Sequence, residues 1–327
     1  MKFRNLSVIM VTIVSFVLIG NKVIGAEWKP EMKFLKIGTG SSGGVWYPQG
    51  AIIADEINKT LAPLSASVAP GGAVSNILKL ERNDLQMAMT YTNLEGLAWE
   101  GKEPFDKQCK NIRHLLSTMV YPFNLVVRAD SGIEGIEQLK DKKIVPGQKG
   151  FISEQLTRVV LEAHGVTYQS IVKNGGLVSY LSYKEGAALL QDKHAEMFAL
   201  MGPHPSSLLM GLSTQTKIKL LPIEKNMLAK ILREHKGLTE VMVPDKPETY
   251  GMGKLVPALG AVMVYLVRSD MSEELAYRIT KIIYDKMPQM AESVVKQLAT
   301  VTVKDLARAA AAPLHPGAER YLREHRK

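Results

Sequence analysis

The sequence predicts an α/β fold of two lobes joined by crossover strands, with a ligand cleft between them. Three observations predict it. Strand-like and helix-like runs alternate along the chain, the pattern of layered α/β proteins. The chain has 327 residues, enough for two domains of ordinary size. And "LVVRADS" (125–131) is echoed by "YLVRSDM" (265–271), each an apolar strand that ends in Val-Arg-x-Asp and leads into a helix-like segment. The echo reads as two strands on which the chain passes between lobes. Lobe 1 is then discontinuous, 30–127 plus 264–327, and lobe 2 is 128–263.

The elements follow in order. "FLKIG" is a first strand, and Pro48 to Leu61 a first helix, with proline near its start where a missing N–H costs nothing. "SASVAP" is a second strand, Ala73 to Arg82 a second helix, and "LQMAMTY" (85–91) a third strand. "KKIVPG" opens a second unit. Ser153 is placed to cap the helix "EQLTRVVLEAHG", whose Leu156, Val159, Val160 and Ala163 share one face and which Gly165 ends. "HAEMFALMG" (194–202) is a strand leading into the loop "GPHPSS", and "ALGAVMVYLV" (258–267) is a buried strand, too short to span a bilayer.

Before these elements, Lys2 and Arg4 precede the apolar run Leu6 to Ile19, and "VIGAEW" offers small residues for cleavage after Gly25 or Ala26. Residues 1–26 therefore read as a cleaved secretory signal peptide, which places the mature chain in the periplasm. The net charge of +9 becomes +6 without Lys2, Arg4 and Lys22. Its basic residues are scattered with no aromatic interleaving, which argues against nucleic acid and for an anionic small ligand. One cysteine, Cys109, excludes an internal disulfide, and no histidine spacing suggests a metal. No cofactor is expected.

"GTGSSGGVWYPQG" (38–50) is the densest signal. It spells G-x-G-x-x-G, but the second strand ends without the acidic residue that a dinucleotide's ribose requires. It also spells G-x-S-x-G around Ser42, but a nucleophile elbow follows several strands, and this serine follows the first. Glycines let the backbone approach a ligand, and the next helix points free N–H groups and its positive end at it. A carboxylate suits such a place. Thr39, Gly40, Ser41 and Ser42 are the candidate donors, and Trp46 and Tyr47 the candidate walls. "PGGAVSN" repeats the arrangement at the second helix, with Asn76 supplying an amide. Tyr91 ends the third strand at the cleft side. In lobe 2, Ser153, His204 and Tyr250 are candidate contacts.

These stretches resemble the TAXI-type solute-binding proteins of TRAP transporters. The likeness runs from about residue 34 to 323, carried by "IGTGSSGGVWYPQGAIIADEIN", "GGAVSNILKL", "DSGIEGIEQLKDKKIVPGQKG", "FALMGPHPSSL" and "APLHPGAERYLRE". The resemblance implies a type II periplasmic-binding-protein fold and capture of a small organic anion for a sodium-driven membrane permease. The family's ligands include glutamate-like amino acids and dicarboxylates. This chain departs from the pattern at Tyr91-Thr92-Asn93, at Gly150-Phe151-Ile152-Ser153-Glu154, where small polar positions have become bulky, and at Asp192-Lys193. The departures favour a more apolar or aromatic monocarboxylate, with Phe151, Ile152 and Tyr91 against its body. Two other readings were set beside this one: a sensor of the same fold signalling to a membrane receptor, and a secreted hydrolase using Ser42.

Overall fold

The computed structural model describes residues 28–41, 43–244, 250 and 255–326. The expected signal peptide and Ser42 lie outside them. The chain begins with a parallel unit: β1 (Phe34–Gly38), α1 (Trp46–Thr60), β2 (Ser65–Ala69), α2 (Ala73–Glu81) and β3 (Met87–Tyr91). Alternate residues Leu35 and Ile37 are buried in β1, and α1 buries Trp46, Gln49, Gly50, Ile53, Ala54 and Ile57, the spacing of one helix face. Helix α3 (Thr92–Glu100) then leads to β4 (Ile112–Arg128).

A second parallel unit follows: β5 (Lys143–Val145), α4 (Ile152–Ala163), α5 (Tyr168–Lys173), β6 (Leu177–Val178), α6 (Tyr183–Gln191) and β7 (Met197–Met201). After it come α7 (Ser207–Gln215), β8 (Ile218–Leu220), α8 (Lys225–Glu234), β9 (Leu238–Val243), β10 (Val256–Arg268), α9 (Glu273–Ser293) and α10 (Pro316–His325). Among the described residues the strands run β2-β1-β3-β10-β4-β7-β5-β6, with β8 on β4 and β9 on β10.

The long strands β4 and β10 join the lobes. Strand β4 pairs with β10 as far as Pro122, then with β7 from Phe123 and β8 from Val126. Strand β10 pairs with β9 along Val256–Ala261 and with β3 along Met263–Val267. The lobe-2 sheet buries side chains on both faces, and β7 (Met197–Met201) is apolar along its whole length. Leu125, Val127, Met197, Ala199 and Met201 enter the larger core, while Val126, Phe198 and Leu200 enter a second cluster on the other side.

The echoed Val-Arg-x-Asp pairs do matching work. Arg268 bonds Asp270 and donates from Nη1 to the carbonyls of Leu80 (3.1 Å) and Glu81 (3.3 Å) at the end of α2. Arg128 bonds Asp130 and donates from Nη1 to the carbonyls of Leu190 (3.3 Å), in the last turn of α6, and Ala195 (3.1 Å), in the turn before β7. Each arginine thus adds a donor to a carbonyl in the last turn of a helix. The two units also match at their edges. Lys36 N donates to Gln86 Oε1 and Gln86 N to the Lys36 carbonyl, as Lys143 N does to Glu196 Oε2 and Glu196 N to the Lys143 carbonyl. The lobes are thus two versions of one design.

Among the described residues, hydrogen bonds and an ion pair join the two lobes across the cleft. Val74 N donates to the Gly150 carbonyl at 3.2 Å, Arg158 meets Glu103 at 2.7 Å, Thr92 Oγ1 donates to the Gly237 carbonyl at 3.2 Å, and Gln297 Nε2 donates to the His204 carbonyl.

Candidate ligand-binding cleft

Helices α1, α2 and α4 all begin at the cleft, and all three lack a side-chain cap. Their N-cap residues are Val45, Gly72 and Phe151, and none places a side-chain acceptor on the first turn. By contrast α6 is capped by Ser182, whose hydroxyl accepts from Glu185 N. Uncapped first turns hold N–H groups that no intrahelical acceptor satisfies, at the positive end of each dipole. Some are used within the protein: Val74 N by Gly150, and Gly72 N by Ser75 Oγ at 3.1 Å.

Between these helix starts lies a small, partly open cavity of ≈ 50 Å³. Gly40, Ser41, Gly44, Val45 and Trp46 line it from the first loop, and Gly71, Gly72 and Ala73 from the second. Tyr91 and Tyr121 close its floor. Phe151, Ile152, Tyr183 and Met201 face them from lobe 2. Trp46 stacks obliquely on Tyr91 (4.9 Å between centroids), Tyr91 meets Tyr121 edge-on (6.1 Å), and Phe151 meets Tyr183 edge-on (5.4 Å). None of the lining residues is charged. On the outer side, Ser41, Gly72 and Phe151 also border an open groove that carries Lys149 and Glu185.

The phenols remain neutral donors and acceptors. Burial pushes Tyr121 up to about 12, and raises Tyr91 well above the usual tyrosine value, with Tyr183 and Tyr121 adding to it. Burial also raises Tyr183, while the Ser153 hydroxyl and the Met201 amide oppose the shift.

The candidate residues divide into those the fold brings to the cavity and those it does not. Gly40, Ser41, Trp46, Tyr91, Phe151 and Ile152 line it. Thr39 and Asn76 stand behind it, and their polar groups are spent on the backbone. The Thr39 hydroxyl donates to the Ala69 carbonyl at 3.0 Å. Asn76 Nδ2 donates to the carbonyls of Thr39 and Met89, both at 2.9 Å, which ties the first loop to the third strand. An alanine Cβ at Gly71 would lie 2.2 Å from Asn76 Oδ1, so that glycine makes room for the tie. Tyr47 is half-buried on α1, away from the lining. Ser153 is not the cap of α4, which starts at Ile152 after Phe151. It sits inside the first turn, fully buried beside Gly147 and the Tyr183 hydroxyl, with its Oγ unpaired. His204 and Tyr250 pack edge-on at 5.2 Å, and the Tyr250 hydroxyl accepts from Ser206 N at 2.7 Å, so they brace the loop after β7 outside the cavity.

Tyr121, Tyr183 and Met201 line the cavity and escaped the sequence reading. Tyr121 lies inside a long apolar strand, where tyrosine reads as core. Met201 had a signal: it ends β7 as Tyr91 ends β3, the matching place in the other lobe.

The fold, with two long strands passing between α/β lobes, has counterparts among known proteins. A model of the NMT1-like family matches residues 37–325. The chain belongs to the NMT1-like family. Among solved structures, this NMT1-like protein is similar to PhnD1 from Prochlorococcus marinus (MIT 9301), solved with methylphosphonate. That likeness has a TM-score of 0.51 at 12% identity, over 82% of this chain and 95% of that one. It is also similar to the alkanesulfonate-binding protein SsuA from Xanthomonas axonopodis pv. citri bound to MOPS, with a TM-score of 0.46 at 15% identity, over 91% and 86%. A putative L-cystine ABC transporter protein from Listeria monocytogenes gives 0.49 at 11% identity, over 86% and 97%. The fold is that of the type II periplasmic binding proteins.

A Glu-His-Ser chain does occur in this NMT1-like protein, on α3 and β4. Glu95 Oε1 bonds His114 Nδ1 at 2.9 Å, and His114 Nε2 bonds Ser117 Oγ at 3.1 Å, all three fully buried. Ser117 Oγ donates to the Arg308 carbonyl at 2.6 Å, and Glu95 accepts from the amides of Ala311 and Ala312. None of the three lines the cavity. It fastens the segment before α10 onto β4, beside the His114–Leu314 bridge. Among the described residues no helix is long and apolar enough to cross a membrane.

Proposed function

We propose that this protein is an extracytoplasmic receptor of the TAXI type, which captures a small carboxylate between its lobes and delivers it to a TRAP-type membrane permease. The observation that carries the reading is the meeting of three uncapped helix starts on one uncharged, aromatic cavity. Backbone N–H groups hold one carboxylate. The rings of Trp46, Tyr91, Phe151 and Ile152's side chain take an apolar or aromatic body. A second carboxylate would be buried with no cation beside it, which is costly. The ligand is therefore a monocarboxylate rather than glutamate or a dicarboxylate.

Gly40, Ser41, Trp46, Tyr91, Phe151 and Ile152 are the proposed contacts. The lobes are taken as 30–127 with 264–327 and as 128–263, closing on ligand by bending in β4 and β10. The reading has no catalytic step. The family and fold of binding proteins, and the signal-like residues 1–26, support the location. Thermal-shift screening of a carboxylate panel tests the ligand class. Stabilisation by apolar or aromatic monocarboxylates is expected, and preference for glutamate or dicarboxylates overturns it. Mass spectrometry of acid co-purified with the native protein names the molecule.

A further inference from the structure

The cavity holds a polar feature that its apolar lining conceals. Gln49 is fully buried on α1, directly behind the cavity wall. Its Oε1 accepts from the Tyr265 hydroxyl at 3.4 Å. Its Nε2 donates to the Val45 carbonyl at 3.1 Å and to the Tyr121 hydroxyl oxygen at 3.4 Å. The amide therefore uses its donors forward and its acceptor backward. Tyr121 receives a hydrogen bond from behind, which leaves its own hydrogen to point elsewhere. Among the described residues that hydroxyl donates to no protein atom, and Tyr121 lines the cavity.

Trp46 stands next to it. Its Nε1 is enclosed and, among the described residues, has no acceptor in good hydrogen-bond geometry, and Trp46 is only 6% exposed. It lies beside the Tyr121 oxygen and favours ionisation there. A buried N–H without a partner is costly and rare enough to need a reason.

We propose that Tyr121 Oη–H and Trp46 Nε1–H form a paired donor site for a neutral acceptor oxygen on the ligand, with Gln49 as the positioning residue. This rests on the carboxylate reading and extends it. Trp46 is also the first residue of α1, whose N-terminus faces the carboxylate in that reading. The acceptor must then lie within a few bonds of the carboxylate, as in a 2-oxo monocarboxylate. A neutral oxygen suits the site because two uncharged donors satisfy its two lone pairs without a counter-ion. Burial keeps the Tyr121 proton in place through neutral pH.

Calorimetric titration with two matched pairs of acids tests this: phenylpyruvate against 3-phenylpropionate, and 4-methyl-2-oxopentanoate against 4-methylpentanoate. In the unmodified protein, the oxo acid of at least one pair should bind about tenfold tighter, the worth of one or two such hydrogen bonds. Tyr121→Phe and Trp46→Phe should each reduce that preference severalfold, the oxo acid losing more affinity than its deoxy partner in the same variant. Gln49→Glu keeps the packing but offers Tyr121 an acceptor from behind. Its hydroxyl should turn inward, and the oxo preference should fall while deoxy binding persists. Equal binding of oxo and deoxy acids overturns the paired-donor site and leaves the carboxylate receptor standing. A preference that survives both Tyr121→Phe and Trp46→Phe also overturns it. If none of the four acids binds to folded protein, the carboxylate reading fails and the donor site falls with it.

Discussion

The amide of Val74 donates to the carbonyl of Gly150 at 3.2 Å, a backbone hydrogen bond made directly from one lobe to the other. It is possible because Gly72, two residues earlier, has no side chain. A Cβ there would lie 2.7 Å from Phe151 Cδ1 and 2.9 Å from the Gly150 oxygen. The phenyl ring can swing aside, but the backbone oxygen cannot. Gly72 has φ −148 and ψ 160, extended values open to any residue, so alanine adds no strain within its own lobe.

Gly72→Ala should therefore hold the lobes apart without unfolding either. Ligand affinity is expected to fall by about tenfold or more, while the melting temperature of free protein moves by less than about 3 °C, as for a substitution of under ~1 kcal/mol. Small-angle scattering with saturating ligand should show a larger radius of gyration than the unmodified protein. An unchanged radius and affinity would mean that closure does not pass through this contact.

Asn76 is expected to act on stability. Its two buried hydrogen bonds, to Thr39 and Met89, join the first loop to the third strand. Asn76→Ala should cost about 2–3 kcal/mol in urea unfolding, the sum of the bonds lost and the carbonyls left unpaired. A cost near zero would return Asn76 to the list of ligand contacts.

The buried Glu95–His114–Ser117 chain gives a similar test. Glu95→Leu strands His114 and the amides of Ala311 and Ala312. Unfolding free energy should drop by about 3 kcal/mol, the cost of leaving a buried ring nitrogen and two buried amides without partners. The residues lining the cavity are not in this chain, so affinity of the folded variant should stay within about twofold. A fall in affinity larger than the fall in stability would link this fastening to the cleft.

His315 predicts a dependence on pH. Its Nδ1 accepts from Gly317 N at 3.2 Å as the cap of α10, and its Nε2 bonds the Met271 carbonyl at 2.9 Å, an arrangement that needs the neutral ring. Burial lowers its pKa below the usual 6.5, with Arg113 adding to the effect, and the Met271 carbonyl and Glu273 opposing it. The unfolded chain therefore binds the proton first as pH falls. The stability is fully present above about pH 6.5 and is lost as pH falls from there through the folded pKa. Melting temperatures between pH 7.5 and 5.5 should decline, and His315→Asn, which keeps a capping oxygen, should flatten part of that decline. An identical decline in the variant would assign it to other groups.

Much of the first lobe was legible because local rules act alone there. "FLKIG" and "SASVA" alternate inward and outward residues between Gly and Pro breaks, and they are the strands observed. The helix at Ala73 starts where "PGG" says it should. The site was only half legible. Short polar residues at a glycine-rich turn brace backbone or bind ligand with the same chemistry, and sequence does not tell Thr39 from Ser41. Ser153 looked like a cap because serine before an apolar run usually is one, but the turn at Gly150, with φ +87, starts the helix two residues earlier than a serine cap allows. Tyr121 and Tyr183 could not be found at all, since only the pairing of β4 with β10 and the packing of the lobes bring them to the cavity.

The route of β10 also sets the order in which the molecule becomes complete during synthesis. Strand β3 is finished at residue 91, yet the neighbour it pairs with spans residues 256–268, and the arginine that closes α2 is the last residue of that strand. Until then the emerging lobe 1 has an open edge and a helix with exposed carbonyls, and lobe 2 is translated in full during the wait. The long-range contacts that finish the first lobe come late, so its folding waits on nearly the whole chain. A polypeptide so wired stays unfolded longest where it begins.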